Sequence, residues 1–533
     1  MDPLHARVPA RGRENALILT LFLAALGWHV GMASVGWSHA ISDLHGWRQA
    51  QTAIIAYFMQ QGGPWIAYEM PLLGPPWRLP HEFGLYQLVM VAVSAMTGLT
   101  LEAAGRATSL AFFYATLGVC WLLMSWLGVA SWNRLLVLAF WLVSPHYIFW
   151  SRTIMVESTT LFLCALYLLL ALHAVSHSRR HWLAFGAVAS GALGAAVKPI
   201  TVVPFVMMVS VCWLHAWWKR PRTFSTILVG ASLIALPLAG GWAWQMYADS
   251  LKALNPLASG MNSSLLRRQW ILGPPGSWAA LEVRAEPVAW RDLLSTRIPD
   301  TLGHVGIPVL ALVGLALARR RVAVCLVLVA AAALHIIVFM PLHLAHPYYF
   351  YAVGGFLIMA VGLAAVSLRE CEDWRRHLAW ALTAAVAASC VSTYTRDVLP
   401  VQRSDAYRRP AWFVRLAREI ASRTRPDDVI VVFGMSWDPQ LPYYAKRRAL
   451  MWPGWADASP GAPDVSRAVA SLAGHSIGAV VSCSRQMPDD TLALFRQLGG
   501  ISAENPWSMS APTPLDKGQG QCTVFFRGSV GGT

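Results

Sequence analysis

Eleven apolar runs constrain this 533-residue chain more than any other feature. Each approaches the ~20 residues that a helix needs to cross a bilayer. They cover 16–35, 104–127, 135–150, 159–175, 182–197, 201–217, 224–244, 302–318, 322–340, 350–368 and 378–391. Only 13% of the residues are charged, against roughly 25% in soluble domains. In lipid every backbone polar group must find its partner within the chain, so such runs fold as helices. The expected fold class is therefore mainly α, a polytopic membrane helix bundle. The first run follows Arg7, Arg11 and Arg13 and has no clear small-residue cleavage site after it. It reads as an uncleaved first span with its N-terminus inside.

The net charge of +15 would suggest nucleic acid in a soluble protein. Here the basic clusters abut apolar runs: Arg134; Arg179 and Arg180; Lys219, Arg220 and Arg222; Arg319 to Arg321; Arg369, Arg375 and Arg376. That is the positive-inside pattern, and nucleic acid is not expected as a partner. The shorter apolar segment 84–99 tests the parity. If it lies in the interface rather than crossing, every basic cluster falls on the side of the N-terminal arginines. The segments 38–101, 151–158, 245–301, 341–349 and everything from 392 onward then share the outer face, with Lys198 at its edge. Chemistry is expected on that face.

The last ~140 residues have soluble composition, in the sense of ordinary charged content. "DDVIVVFG" (427–434), "IGAVVSC" (477–483) and "CTVFFRG" (522–528) read as short strands, with helical patterns at 412–423 and 465–472. The expected organisation is a transmembrane domain over 1–394, its first outer loop at 38–101, and a small α/β domain over 395–533. Cys120, Cys164, Cys212, Cys325 and Cys390 lie in or beside apolar runs as small hydrophobes. Cys483 and Cys522 could pair outside the cytoplasm.

The densest polar cluster lies just behind the first run, in "SDLHGWRQAQTAIIAYFMQQG" (42–62). Trp47, Ala50, Ile54 and Phe58 follow helical spacing and form an apolar face, while Arg48, Gln51 and Thr52 share another. The pattern reads as an interfacial helix with its polar side turned to an aqueous cavity. Trp47 as a belt residue and Arg48 on a lipid phosphate would be the plain alternative. That alternative gives Asp43 no role, since a carboxylate is unfavourable near anionic headgroups. Asp43, His45, Arg48 and Gln49 together fit a site.

Farther on, "WRLPHEFGLYQ" supplies Arg78, His81 and Glu82. Glu82 could complement a helix N-terminus, or with His81 and His346 it could hold a divalent metal. "SRTIMVES" presents Arg152 and Glu157, "AVKPI" places Lys198 between two runs, and "HLAHPYYFY" adds His343, His346, Tyr348 and Tyr349. A lysine there could merely snorkel, and the tyrosines alone could be belt residues. The histidines favour a polar site.

These stretches resemble the motifs of GT-C-type membrane glycosyltransferases. The likeness is to the bacterial, family-39-like branch related to protein mannosyltransferases and lipid A aminoarabinose transferase. "HGWRQAQTAIIAYF" resembles its His-x-Trp-Arg-Gln motif, and "HEFGLYQ" its second acidic motif, followed by the Arg106-bearing span "AAGRATSL". "SRTIMVE", "HPYYFY" and, in the tail, "MSWDPQLPYYAKRRA" follow in order. The resemblance implies an inverting transfer of a sugar from a polyprenyl-phosphate donor to a lipid, glycan or protein acceptor. It would take place on the outer face of a bacterial inner membrane, in contact with membrane lipids. It implies Asp43 as general base, with Glu82 the second candidate. Arg48, Arg152 and Lys198 would bind the lipid phosphate, and His45, Gln49 and His346 would orient sugar or phosphate. Trp47, Glu157, Tyr348 and Tyr349 complete the expected binding set. A transporter or flippase would place charges at mid-membrane, whereas here most sit at run ends. A non-catalytic assembly protein would tolerate loss of Asp43 and Glu82.

Overall fold

The structure, a computed structural model, describes residues 8–176, 181–219, 224–258, 261–273, 277–404, 411–452, 468, 470–483, 508–509, 513–514 and 521–527. Helices α1 (Val8–Ala33), α2 (Gly46–Gln60), α3 (Leu85–Thr97), α4 (Leu101–Trp126), α5 (Ser131–Val143) and α6 (Pro145–Trp150) come first. They are followed by α7 (Glu157–Ser176), α8 (His181–Val197), α9 (Pro199–Lys219), α10 (Phe224–Lys252), α11 (Ser263–Ile271) and α12 (Ala279–Ala285). Next are α13 (Pro287–Leu302), α14 (Ile307–Ala318), α15 (Val322–Val338), α16 (Met340–Ala345), α17 (Phe350–Arg369), α18 (Arg375–Thr393) and α19 (Leu399–Arg403). The tail carries α20 (Trp412–Arg423), β1 (Val429–Phe433), α21 (Gln440–Ala445), β2 (Arg448–Met451) and β3 (Ile477–Cys483). The short strands β4 (Ser508–Met509) and β5 (Thr513–Pro514) and the longer β6 (Gln521–Phe526) follow.

Each of the eleven expected runs is mainly helical. Among the described residues, seven helices are long and apolar enough to cross a membrane, or eight if the bent pair α13–α14 counts as one span. The helices α5, α8 and α15 are apolar but shorter, at 13, 17 and 17 residues. The chain is a multi-pass membrane protein. It divides into two compact units, one of residues 1–37, 106–244 and 267–403, the other of 38–105, 245–266 and 404–533. The first outer loop thus groups with the tail, a partition that no single cut in the sequence produces.

The first unit is built around α17, buried along nearly its whole length. Small residues let neighbours approach it closely: a Cβ on Gly355 would fall 2.5 Å from the Trp141 ring, and one on Gly362 2.7 Å from Val137. The 72° bend between α13 and α14 turns on Gly303 at φ +81°. A Cβ there would lie 2.3 Å from the Cys390 amide nitrogen, so only glycine fits. At one end of this unit the basic loops meet. Arg321 grips Glu370 with two bonds of 2.7 and 2.9 Å, Arg369 reaches Glu14 at 3.3 Å, and Arg375 donates to the Leu317 carbonyl at 2.9 Å. Beyond the last turn of α1, two buried arginines occupy unpaired carbonyls, Arg106 on Trp37 and Arg152 on Val35.

The second unit contains the α/β tail and the first outer loop. Its sheet runs β2-β1-β3-β6-β4, with β5 also on β6. The pairs β1–β2 and β1–β3 are parallel and β3–β6 antiparallel. Cys483 and Cys522 stand opposite each other in the β3–β6 register and form a disulfide. α20 matches the expected helix; Phe413, Val414, Leu416, Ala417 and Ile420 give it one buried face. The helical pattern expected at 465–472 lies partly outside the described residues. The strand β2 was not expected: four residues with no alternation carry little signal. Its open edge is covered by the outer loop. Ala449 N–H donates to Pro71 at 2.9 Å, Met451 N–H to Leu72 at 2.7 Å, and Gly74 N–H to Ala449 at 3.2 Å.

Candidate active site

Two polar clusters carry the expected residues, one in each unit. In the second unit the loop into α2 makes a left-handed turn at His45, at φ 55° and ψ 37°. A non-glycine residue there costs about 1–2 kcal/mol. The turn closes with Gly46 N–H donating to the Asp43 carbonyl at 2.8 Å, while Arg48 N–H reaches the His45 carbonyl at 2.9 Å. Asp43 is thereby folded back over the first turn of α2. Its carboxylate accepts a hydrogen bond from Gln49 Nε2, which also reaches the Leu44 carbonyl at 3.2 Å. Asp43 is 8% exposed, buried yet open at its edge.

One turn of helix places Arg48 beside Gln51, and Arg48 Nη1 donates to Gln51 Oε1 at 2.6 Å. Arg48 Nη2 is paired with Glu82, from the loop ahead of α3. That loop is pinned by Tyr68, whose hydroxyl donates to the Glu82 carbonyl at 2.7 Å and accepts from the His81 N–H at 2.8 Å. Burial holds His81 well below the usual imidazole range, and the charges of Lys252 and Arg48 push the same way. It is neutral at pH 7 and adds no positive charge. Glu69 binds Arg448 at 2.8 Å on the same loop.

The phase expected for α2 holds, with Arg48 and Gln51 on one face, but its surroundings differ. Nearly every residue of α2 is buried, on all sides. It packs on α3 and α21, Gln51 Nε2 donates to the Met70 sulfur at 3.1 Å, and Arg448 lies 5.0 Å from the Phe58 ring centre. An amphipathic pattern is compatible with a helix lying on a surface, but here the outer loop engages the polar face, through Glu82 on Arg48 and Met70 on Gln51, while tail residues meet Trp47 and Phe58.

In the first unit Glu157 opens α7, where a carboxylate complements the helix dipole. Lys198 is the single residue joining α8 to α9 and pairs with Glu157. The ammonium lies 4.1 Å from the Tyr349 ring centre and 5.0 Å from that of Tyr348. The His346 ring stacks on Tyr348 at 5.3 Å. Behind them His335 Nδ1 and His343 Nε2 are 2.8 Å apart, and Arg297 Nη2 donates to the His343 carbonyl at 3.1 Å. So Glu157, Lys198, His346, Tyr348 and Tyr349 do come together, whereas Arg152 lies on the Val35 carbonyl. An apolar cavity of about 550 Å³ elsewhere in this unit is lined by residues such as Trp126, Leu168, Phe205 and Met208. It contains none of the expected site residues.

Among the described residues no group of three or more His, Cys, Asp or Glu side chains could hold a metal ion. Glu82 is instead engaged by Arg48, so the metal expectation at His81, Glu82 and His346 finds no ligand set there. The residues that sequence reasoning gave no role are Tyr68, Trp437, Gln440 and Tyr444.

No protein-family profile matches the sequence, and no protein of curated function matches it. The structure is similar to ArnT from Cupriavidus metallidurans bound to undecaprenyl phosphate, at a TM-score of 0.58 and 16% identity over 95% of this chain and 98% of that one. It is also similar to the Archaeoglobus fulgidus oligosaccharyltransferase in its apo form, at a TM-score of 0.55 and 11% identity. That match covers 96% of this chain and 74% of the other. The chain has a GT-C-type fold, as the motif resemblance implied.

Proposed function

We propose that this protein is a membrane glycosyltransferase that moves a sugar from a polyprenyl-phosphate donor to a lipid, glycan or protein hydroxyl. The reaction takes place on the outer face of a bacterial inner membrane. The observation that carries the reading is the Asp43–Gln49 and Arg48–Glu82 pairing, which puts a held carboxylate and a held guanidinium within one turn of the same helix start.

The chemistry needs both. The acceptor oxygen attacks the anomeric carbon from the side opposite the phosphate and its proton passes to the Asp43 carboxylate, as a general base requires. The bond from the anomeric carbon to the phosphate oxygen breaks, and its electron pair leaves with polyprenyl phosphate. Cations stabilise that charge best where water is excluded. Arg48 in the second unit and Lys198 and Arg152 in the first are the cationic candidates, with Glu82 the alternative base. Gln49 orients Asp43, while His45, Trp47, His346, Tyr348 and Tyr349 are candidates for substrate contact. The solved structure of ArnT, with its bound undecaprenyl phosphate, supports a donor of this class. The basic loops gathered at one end of the first unit support an outer face at the other.

The test offers the purified protein, in lipid nanodiscs, a panel of polyprenyl-phosphate sugars with hydroxyl acceptors and follows release of polyprenyl phosphate. Turnover with at least one donor, lost in Asp43→Asn, is the expected result. No turnover with any donor overturns the reading, and full turnover in Asp43→Asn removes Asp43 as base.

A further inference from the structure

The tail segment 437–444 touches each piece of chain that carries the charged network of the second unit. At the Asp43 loop it grips one residue from both sides. The backbone N–H of Ile41 donates to the Tyr444 hydroxyl at 2.7 Å, and the Ile41 carbonyl accepts from Gln440 Nε2 at 2.5 Å. Gly46, which closes the His45 turn, is packed so tightly on this contact that a Cβ would lie 2.6 Å from Gln440 Nε2. At the start of α2 the Trp437 ring meets Trp47, with ring centres 5.5 Å apart. At the Glu82 loop the same indole lies 6.4 Å from the His81 ring. Gln440 is itself fixed, because its N–H donates to Asp438 Oδ1 at 2.9 Å at the entry to α21.

We infer that Gln440 and Tyr444 are positioning residues for Asp43, and that Trp437 sets the spacing between the Arg48 turn and the Glu82 loop. The soluble tail is thus part of the machinery rather than an appendage. The physical reason is the loop itself. Residues 38–45 form no regular element, and a left-handed residue at 45 has no intrinsic reason to persist. Two hydrogen bonds to one peptide, made from a short helix whose own entry is capped, fix the loop in place.

This inference rests on the glycosyltransferase reading for its kinetic consequence but not for its structural one, and the experiment keeps the two apart. Full-length wild type, Tyr444→Phe, Gln440→Ala and Trp437→Phe are prepared in nanodiscs, with Arg418→Gln on the exposed side of α20 as the control. Tyr444→Phe deletes one oxygen and leaves the fold intact even if Gln440→Ala does not. Amide hydrogen exchange across residues 41–46 is expected to speed up at least about tenfold in Tyr444→Phe and Gln440→Ala, the equivalent of ~1.4 kcal/mol for one lost hydrogen bond. Exchange should stay at the wild-type rate in the control. With a turning-over donor, kcat is expected to drop about tenfold or more while the donor KM moves less than about twofold. Misplacement of a catalytic group acts on the chemical step. Trp437→Phe, which keeps an aromatic ring, should retain most of kcat. Unchanged exchange in both clamp variants overturns the inference whatever the activity. Faster exchange with unchanged kcat overturns the positioning role. Faster exchange in a protein that turns over no donor supports the clamp and overturns only the glycosyltransferase reading.

Discussion

The two clusters hold the same elementary object, one cation against one carboxylate, in opposite ways. Lys198 and Glu157 are held by the ends of packed helices and covered by the Tyr348 and Tyr349 rings. Arg48 and Glu82 sit in a hydrogen-bonded mesh of Gln51, Tyr68, Gln49 and Asp43, assembled from loops and tied to the tail. The first arrangement is rigid because its helices are, and either charge becomes costly once its partner is gone. The second is rigid only as long as every tie holds. An ion pair on helix ends thus serves stability and placement together, while a mesh on loops separates them and leaves a carboxylate such as Asp43 available for chemistry.

The sharpest way to break this contrast is to neutralise the carboxylates in turn. Asp43→Asn is expected to lower turnover by about 10²–10⁴-fold, the usual contribution of a positioned base, with little change in thermal unfolding. Release of polyprenyl phosphate and a melt on the same sample check both halves. Glu157→Ala should instead unfold the first unit more easily, by about 3–5 kcal/mol, since it leaves a buried ammonium without its partner. Adding Lys198→Met should recover much of that loss, which denaturant unfolding of the single and double variants would show. If Asp43→Asn and Glu157→Ala both act mainly through stability, the two clusters are not different in kind.

Arg48→Lys sharpens the mesh side. It keeps the charge but loses the fork that serves Gln51 and Glu82 together, and donor KM should rise about tenfold, as for one charge-assisted hydrogen bond. The smallest effect concerns Asp438. Burial pushes its carboxyl up from 3.8 to about 6, against the Gln440 N–H bond that favours the charged form. As pH rises from about 4 to about 6, the folded tail keeps a proton that the unfolded chain releases. This group's contribution to stability therefore falls over that window and stays low above it. Asp438→Asn should raise the melting temperature at pH 7 by a few degrees and change it little at pH 4.

Legibility in the sequence followed the range of the interactions. All eleven apolar runs are mainly helical because a run of ~20 apolar residues has one local solution in lipid, though 135–150 breaks at Ser144 and 302–318 bends at 303–306. The helix phase of Arg48 and Gln51, the α20 helix and strands β1, β3 and β6 were equally local. The covering of α2 by the tail was not legible, because residues near 50 and near 444 leave no joint periodicity. Nor was the pairing of Glu82 with Arg48, since a His-Glu step in a loop does not name its partner. Tyr68, Trp437, Gln440 and Tyr444 could be seen as residues but not as partners.

By itself, the sequence determined that the chain crosses a membrane many times, which segments are helical, and which polar residues are too densely placed to be idle. Those are consequences of hydropathy and spacing, properties that each segment carries alone. Tertiary structure decided which carboxylate meets which cation, that the first outer loop and the tail form one compact unit, and that Ile41 is held from both sides. Each is a contact between segments tens to hundreds of residues apart. Its free energy depends on geometry that only the closed fold supplies.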